Sequence, residues 1–469
     1  MKKTKVIITV GPSSNSVDVL REMFVKGADV VRINLSHADF AFCDEIIKKI
    51  RKLEEELNKP IGIMLDTDGP SVRLDKFKEG MAILDEGKSI KLYRYPVICN
   101  NTQISCNYDV IDDLEIGNIL LLSDGVVELE VVDIDNDYAL LKVNAGGEIK
   151  SNQTVHLKNK SFKLPFLSDK DREGILYGIK KNVDFIALSY VRDEQDVLEV
   201  ADILIEKGNN HINLLAKIEN SSALSNLEEI VKVSDGVIVA RGDLGIEMSM
   251  EKLPFFQKQI IKAAILQEKI AIVATDFLLS MEDSSYPARS EISDIYNAVM
   301  DKCDAILLSG ETTIGKYPVE VVETLSKTLI SAEEDFDYDE YLEETIRDTK
   351  NDITSNIAYS VVLSSSRLKA SAIITNTNSG YTAYKISHYK PKCPILGLSP
   401  MVETTRLMTL NYGVIPCLSN ECKSTDTIIN MCVRKACDIL SLENGEILII
   451  TGGFPISNKN TNFMKIEVI

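Results

Sequence analysis

Eight short apolar runs, most of them ending in a charged or hydroxyl side chain, constrain this chain more than any other feature. The sharpest pair is Leu214-Leu-Ala-Lys-Ile-Glu-Asn220 and Val237-Ile-Val-Ala-Arg-Gly-Asp-Leu-Gly245. Each begins as the unbroken hydrophobic run of a strand buried on both faces, as a parallel sheet covered by helices demands. Each then ends in ionisable groups, Lys217 and Glu219 in one, Arg241 and Asp243 in the other. Charge at the C-terminal tip of a buried strand fits a barrel that delivers reactive side chains to its upper face. One ammonium and two carboxylates so delivered can hold a divalent cation beside a fixed positive charge, which suits phosphoryl transfer.

The strands fall at 5–10, 29–35, 61–66, 184–190, 212–218, 236–241, 270–275 and 305–309, with helical periodicity between the later ones. Ser168-Asp-Lys-Asp171 is a helix start signal ahead of Ile175-Leu-Tyr-Gly-Ile179. The expected fold is α/β, a (β/α)8 TIM barrel. A doubly wound open sheet is the alternative, but no Gly-x-Gly-x-x-Gly follows any strand. Between 70 and 165 the rhythm breaks into short β-rich runs, Ile119–Leu122, Val126–Val132 and Tyr138–Val143, with Ser123-Asp-Gly125 and Asn144-Ala-Gly-Gly147 as turns. This predicts a small β-barrel domain inserted after the third strand, above the active face, where it can close as a lid. The barrel therefore takes 1–69 and 166–339, the lid 70–165, and a C-terminal α/β regulatory domain 340–469, with strands at Ala372–Thr375, Ile395–Leu398, Val414–Ile415 and Glu446–Ile450.

A chain of 469 residues has room for two or three domains. A formal net charge of −19 argues against nucleic acid as partner, so an anionic substrate has to be drawn in by local cations. No apolar run is long enough to cross a membrane, and Val6–Val10 is too short for a signal peptide. The nine cysteines include no Cys-x-x-Cys; the pairs Cys417/Cys422 and Cys432/Cys437 lack zinc-site spacing. Reduced structural thiols and a cytoplasmic location are expected.

Polar residues at the remaining strand ends complete a set: Arg32, Asn34, Ser36 and His37; Asp66 and Thr67; Thr275; Ser309-Gly-Glu311. Any one of these could be an ion pair that closes the barrel end, and Asn34 and Ser36 could cap the following helix. His37, His211 and His388 read as structural. The set as a whole is too regular for that explanation.

Along nearly its whole length the chain resembles the pyruvate kinase family. Thr4-Lys-Val-Ile-Ile-Thr-Val-Gly-Pro-Ser13, Asp29-Val-Val-Arg-Ile-Asn-Leu-Ser-His37, Lys217-Ile-Glu-Asn220, Val239-Ala-Arg-Gly-Asp-Leu-Gly245, Pro287-Ala-Arg-Ser-Glu291 and Leu307-Leu-Ser-Gly-Glu-Thr312 match its motifs in order. The resemblance implies transfer of phosphate from phosphoenolpyruvate to ADP, giving pyruvate and ATP. Glu219 and Asp243 would bind Mg2+ or Mn2+, and Lys217 would stabilise the phosphoryl group and enolate. Arg32 and Arg73 would grip phosphate oxygens, and backbone N–H groups of Arg241, Gly242 and Asp243 would receive the carboxylate. Thr275 would assist protonation through water. Asn34, Ser36, Asp66 and Thr67 resemble a K+ site. Thr377, Asn378, Ser379, Gly380 and Thr382 resemble a loop that binds a sugar-phosphate effector, with helix capping as the plainer explanation. The family also implies a homotetramer.

Departures cluster on the nucleotide side. Asp68 stands where the family has lysine, Ser71 where it has glutamate, Gln153 and Ile314 where it has lysines, and Asp276 where it has glutamine. Ala288 replaces a threonine, and Ser457-Asn-Lys-Asn460 a Gly-rich effector loop. Lys158 or Lys160 could substitute for the lysine lost at Gln153. The loss of Glu at Ser71 puts K+ dependence in question. Three readings follow: an active kinase with altered nucleotide affinity, a diverged enzyme acting on phosphoenolpyruvate or pyruvate without ADP, and a weakly active paralogue that binds ligand and regulates.

Overall fold

The computed structural model describes residues 1–158, 160, 162–209, 211–348, 351–421, 424–453 and 461–469. Eight parallel strands close into a barrel: Lys5–Thr9, Val30–Asn34, Gly62–Asp66, Phe185–Leu188, Asn213–Ile218, Gly236–Ala240, Ile270–Ala274 and Ala305–Leu308. All eight fall inside the expected ranges, and their residues are almost entirely buried. The cause is the two-sided covering of a barrel strand: one face packs on the helices, the other on a central core that includes Ile7, Met64, Phe185, Leu215, Ile238 and Leu307. Truncating a side chain such as Phe185 to alanine costs about 3–5 kcal/mol.

Helix starts follow the sequence signals. Ser168 accepts from the Asp171 N–H at 3.0 Å and opens the helix Asp169–Lys181. Asp39 accepts from Phe42 N–H at 2.8 Å and opens Phe40–Leu57. Each such cap is worth about 1 kcal/mol. More to the point, each fixes where the chain leaves a strand tip and so where that tip's side chains point.

The chain between the third strand and Asp169 folds around its own core, which includes Leu84, Ile90, Leu129, Val131, Leu141 and Val143. The expected small β-barrel is built as a six-stranded sheet and a separate two-stranded ribbon about this core. Ser123 and Asp124 turn left-handed, at φ 52° and 55°, as the expected hairpin requires. Asn144–Gly147 is no turn. The strand Tyr138–Ala145 runs on through Gly146 into Gly147–Lys150, exchanging one partner strand for another. A Cβ on Gly146 would lie 2.4 Å from the Leu84 carbonyl, so the glycine serves a close strand crossing.

Beyond the barrel, the helices Tyr338–Asp348 and Ile353–Leu368 lead to a five-stranded sheet. Its strands are Ala372–Asn376, Ile395–Ser399, Val414–Leu418, Ile447–Gly452 and the antiparallel Phe463–Val468. This unit plugs the barrel's lower end: Leu410 joins the central core, Lys385 pairs with Glu268 at 2.7 Å, and Arg406 with Glu54 at 2.6 Å. All eight cysteines among the described residues are free; Cys422 lies outside them, as do Asn159 and Ser457–Asn460. No described helix is long and apolar enough to cross a membrane.

Candidate active site

Barrel strands two to six lie side by side, and their upper tips carry one continuous polar network. Arg32 donates from Nε to Asp66 Oδ2 at 2.6 Å and from Nη1 to Thr9 Oγ1 at 3.0 Å. Ser189 Oγ lies 3.0 Å from Asp66 Oδ1 and 2.8 Å from the Thr67 carbonyl, and accepts from Lys217 Nζ at 2.9 Å. Lys217 Nζ is 2.8 Å from Glu219 Oε1 and 3.5 Å from Asp66 Oδ1. Tyr190 then joins two carboxylates, its N–H donating to Glu219 Oε2 at 2.6 Å and its hydroxyl to Asp243 Oδ1 at 2.9 Å. Lys217, Glu219 and Asp243 therefore meet at one mouth.

The tips of strands six and seven are locked together. Arg241 lays its guanidinium 4.1 Å over the Phe277 ring and donates to the carbonyls of Ala274 and Thr275 and to Asp294 at 2.6 Å. Its side chain is structural, while the N–H groups of Arg241, Gly242 and Asp243 open the short helix Arg241–Glu247 and have no partner within it. A Cβ on Gly242 would sit 3.1 Å from Thr275 Cγ2, so glycine permits the approach of Thr275. Thr275 and Asp276 are both left-handed, at φ 80° and 55°.

Electrostatics follow from burial and charge count. Burial disfavours the charged form of Lys217, but Asp66 and Glu219 outweigh it and raise the ammonium above its ordinary range. Burial pushes Glu219 up to about 7, with Lys217 opposing and Asp243 adding to the rise. Asp66 is buried too, yet Arg32 and Lys217 hold it below the usual carboxylate range. Glu219 Oε1 is buried without a hydrogen bond; Lys217 is an ion-pair partner there, off the hydrogen-bonding direction. Such an oxygen, with a second carboxylate facing it across Tyr190, is a hard-donor pair short of positive charge and fits a small divalent cation. No group of three or more His, Cys, Asp or Glu among the described residues could hold a metal, so the pair would share its ion with other oxygens.

A cavity of about 770 Å³ opens beside the network, lined by Thr9, Gly11, Arg32, Asn34, His37, Phe42, Ser309, Thr313 and Ile314, among others. The Nη2 of Arg32 has no hydrogen-bond partner among the described residues.

Residues 1–322 match the model of the pyruvate kinase barrel domain, and residues 355–467 that of the pyruvate kinase alpha/beta domain. The chain is 38% identical over 473 residues to pyruvate kinase of Staphylococcus haemolyticus and 38% over 472 residues to that of Bacillus licheniformis, covering 100% of this chain and 81% of each relative. A solved pyruvate kinase from Cryptosporidium parvum matches with a TM-score of 0.95 at 33% identity, over 100% of this chain and 96% of that one. The chain belongs to the pyruvate kinase family.

Several positions that differ from the family's motifs are re-partnered. Asp68 pairs with Lys170 at 3.0 Å and with Arg73 at 3.4 Å. Arg73 also donates to Ser71 Oγ at 3.1 Å, so the guanidinium expected at the phosphate is engaged by its own loop. Gln153 bonds Ser123 Oγ and the Lys150 N–H within the inserted domain, at 2.8 and 3.0 Å. Lys158 and Lys160 face Glu128 and Glu115 at 3.4 and 3.0 Å. Of the five nucleotide-side departures only Ile314, 65% exposed, lines the cavity.

Among the residues of the K+ resemblance, Asn34 and Asp66 are register partners, Thr67 accepts from the Ser189 N–H, and Asn34 Oδ1 caps the Ser36 N–H at 3.0 Å. In the C-terminal loop, Thr377 Oγ1 caps the Gly380 N–H at 3.0 Å, Thr382 meets Thr461 at 2.7 Å, and Asn378 and Ser379 are exposed. Glu311 accepts from Leu278 and Ser309 N–H groups and holds the strand-eight loop. Sequence reasoning missed Ser189 and Tyr190. The available signal was that the fourth strand also ends in hydroxyls.

Proposed function

We propose that this mouth transfers the phosphoryl group of phosphoenolpyruvate to ADP, giving pyruvate and ATP. The observation that carries the proposal is the Lys217 ammonium, kept charged in a nearly dry position between Asp66 and Glu219 with Asp243 close by. A fixed cation there lowers the energy of negative charge developing on phosphoryl and enolate oxygens without reorganising. Arg32 offers its free Nη2 to a phosphate oxygen. The backbone N–H groups at Arg241, Gly242 and Asp243 receive the substrate carboxylate, and the Thr275 hydroxyl positions the water that protonates the enolate carbon.

Glu219 and Asp243 would hold Mg2+ or Mn2+, which when bound neutralises phosphoryl and carboxylate oxygens. Asn34, Ser36, Asp66 and Thr67 are the residues a K+ ion would use. ADP lies in the cavity beside Arg32 and Ile314, whose volume falls within the range of ligand pockets. The inserted domain closes over the mouth and excludes water. A cytoplasmic homotetramer with a phosphate effector at Thr377–Thr382 completes the reading.

The test is a coupled assay of pyruvate formed from phosphoenolpyruvate with and without ADP, in Mg2+ or Mn2+. Turnover of about 1–100 s-1 is expected, the range usual for kinases. Phosphoenolpyruvate binding with no ADP-dependent pyruvate would end the proposal.

A further inference from the structure

Neither candidate cation ligand fixes the other; Tyr190 fixes both. It follows the fourth barrel strand at φ 56°, a left-handed conformation costly for a bulky side chain. Such strain persists only where the surroundings over-determine it. Here they do: the amide is held by Glu219 Oε2 at 2.6 Å and the hydroxyl by Asp243 Oδ1 at 2.9 Å. The ring lies 6.4 Å from that of His156, a lid residue whose Nδ1 is 3.8 Å from Glu247. Each carboxylate thus has one oxygen taken by a fixed donor. Of the other oxygens, Asp243 Oδ2 has no hydrogen bond among the described residues, and Glu219 Oε1 has only the Lys217 ammonium, at 2.8 Å.

We infer that Tyr190 is a positioning residue for the divalent cation, holding one oxygen of each carboxylate so that the other two, Glu219 Oε1 beside the Lys217 ammonium and Asp243 Oδ2, remain for the ion. The inference rests on the proposed role of those two carboxylates. Partners that orient a ligating carboxylate without touching the metal typically change metal affinity by roughly 10- to 100-fold.

Tyr190→Phe removes the hydroxyl and keeps the ring and the amide. Mn2+ is titrated into the full chain without substrate, and free ion is read by electron paramagnetic resonance. The variant is expected to bind Mn2+ roughly 10- to 100-fold more weakly. The Mn2+ concentration for half-maximal rate should rise in proportion, while kcat at saturating Mn2+ changes by less than about threefold. Equal Mn2+ affinity in the two proteins overturns the inference and leaves the ligand assignment standing. Wild-type protein that binds no Mn2+, or a Glu219→Gln variant that binds it as well as wild type, overturns the ligand assignment itself. His156→Ala disturbs the seat of the ring but spares the hydroxyl, and should leave affinity within about twofold; a tenfold loss there would mean packing and overturn the role given to the hydroxyl. The chain has no tryptophan, so near-ultraviolet absorbance reports tyrosine. Should Tyr190→Phe not fold, a Mg2+-induced tyrosine difference spectrum in the wild type is expected, and its absence overturns the inference.

Discussion

Replacing Ile314 by lysine should tighten ADP binding by about 5- to 10-fold. Ile314 follows the one-turn helix Gly310–Thr313 and is 65% exposed on the 770 Å³ cavity. Arg32 is the only arginine or lysine among the described residues that line the cavity, and two of its nitrogens already serve Asp66 and Thr9. A lysine ammonium at roughly 5 Å from a phosphate charge gains about 0.8 kcal/mol in water and about 3 kcal/mol at an effective dielectric of 20. The exposed position weights the value towards water, and ordering the stem removes part of it, leaving about 1–1.4 kcal/mol. The assay is the KM for ADP at saturating phosphoenolpyruvate, with calorimetric ADP titration beside it and Ile314→Gln as the uncharged control. The gain should fade between about 0.05 and 1 M salt as the screening length shortens to about 3 Å. Gln153→Lys should leave ADP affinity unchanged, because that side chain is bonded to Ser123 within the inserted domain. Unchanged affinity in Ile314→Lys, or a gain insensitive to salt, refutes the electrostatic account of this cavity.

Lys217→Met should lower kcat by at least about 10³-fold while the protein stays folded, because Asp66 keeps Arg32 and Glu219 keeps the Tyr190 N–H; an active variant by the coupled assay removes Lys217 from the mechanism. Asp68→Asn should free Arg73 and lower the KM for phosphoenolpyruvate by about 2- to 5-fold at unchanged kcat, since a partly exposed pair is worth about 0.5–1 kcal/mol; a higher KM refutes service of Arg73 to the substrate. Asp29 is 13% exposed, and despite the opposing effect of burial, Lys2, Lys5 and Lys59 hold its carboxyl down at about 2, against 3.8 unfolded. Its stabilisation, about 2 kcal/mol, is complete above pH 3.8 and is lost as pH falls through 2. Urea unfolding of Asp29→Asn against wild type should show that gap at pH 7 and a smaller one at pH 2.5; a constant gap contradicts the linkage.

What the sequence made legible was local. A strand buried on both faces must be apolar from end to end, so the barrel could be traced to within a residue or two, and charge at its tips was visible because nothing else interrupts such a run. Partnership was not visible, because partners come from distant segments. Gly146 illustrates the point, since a glycine that reads as a turn in one dimension serves a strand crossing in three. Ser189 and Tyr190 end their strand in hydroxyls that resemble ordinary capping groups until Lys217, Glu219 and Asp243 are placed around them.

The same limit changes the electrostatic case built on the nucleotide-side departures. Counted along the sequence, Asp68, Gln153, Asp276 and Ile314 all remove positive charge or add negative charge. In space their effects differ. Asp68 is neutralised by Lys170, 102 residues away, with Arg73 on its other oxygen. Gln153 is bonded inside the inserted domain. Asp276 is exposed and stands apart from the cavity lining; its charge falls on Glu282, whose carboxyl is raised by burial first and then by Glu311, Asp283 and Asp276. Ile314 alone of the four replaces a cation at the cavity wall. The loss of nucleotide affinity should therefore match one missing surface ammonium, an order of magnitude at most, which is too little to separate this chain from the activity its mouth is built for.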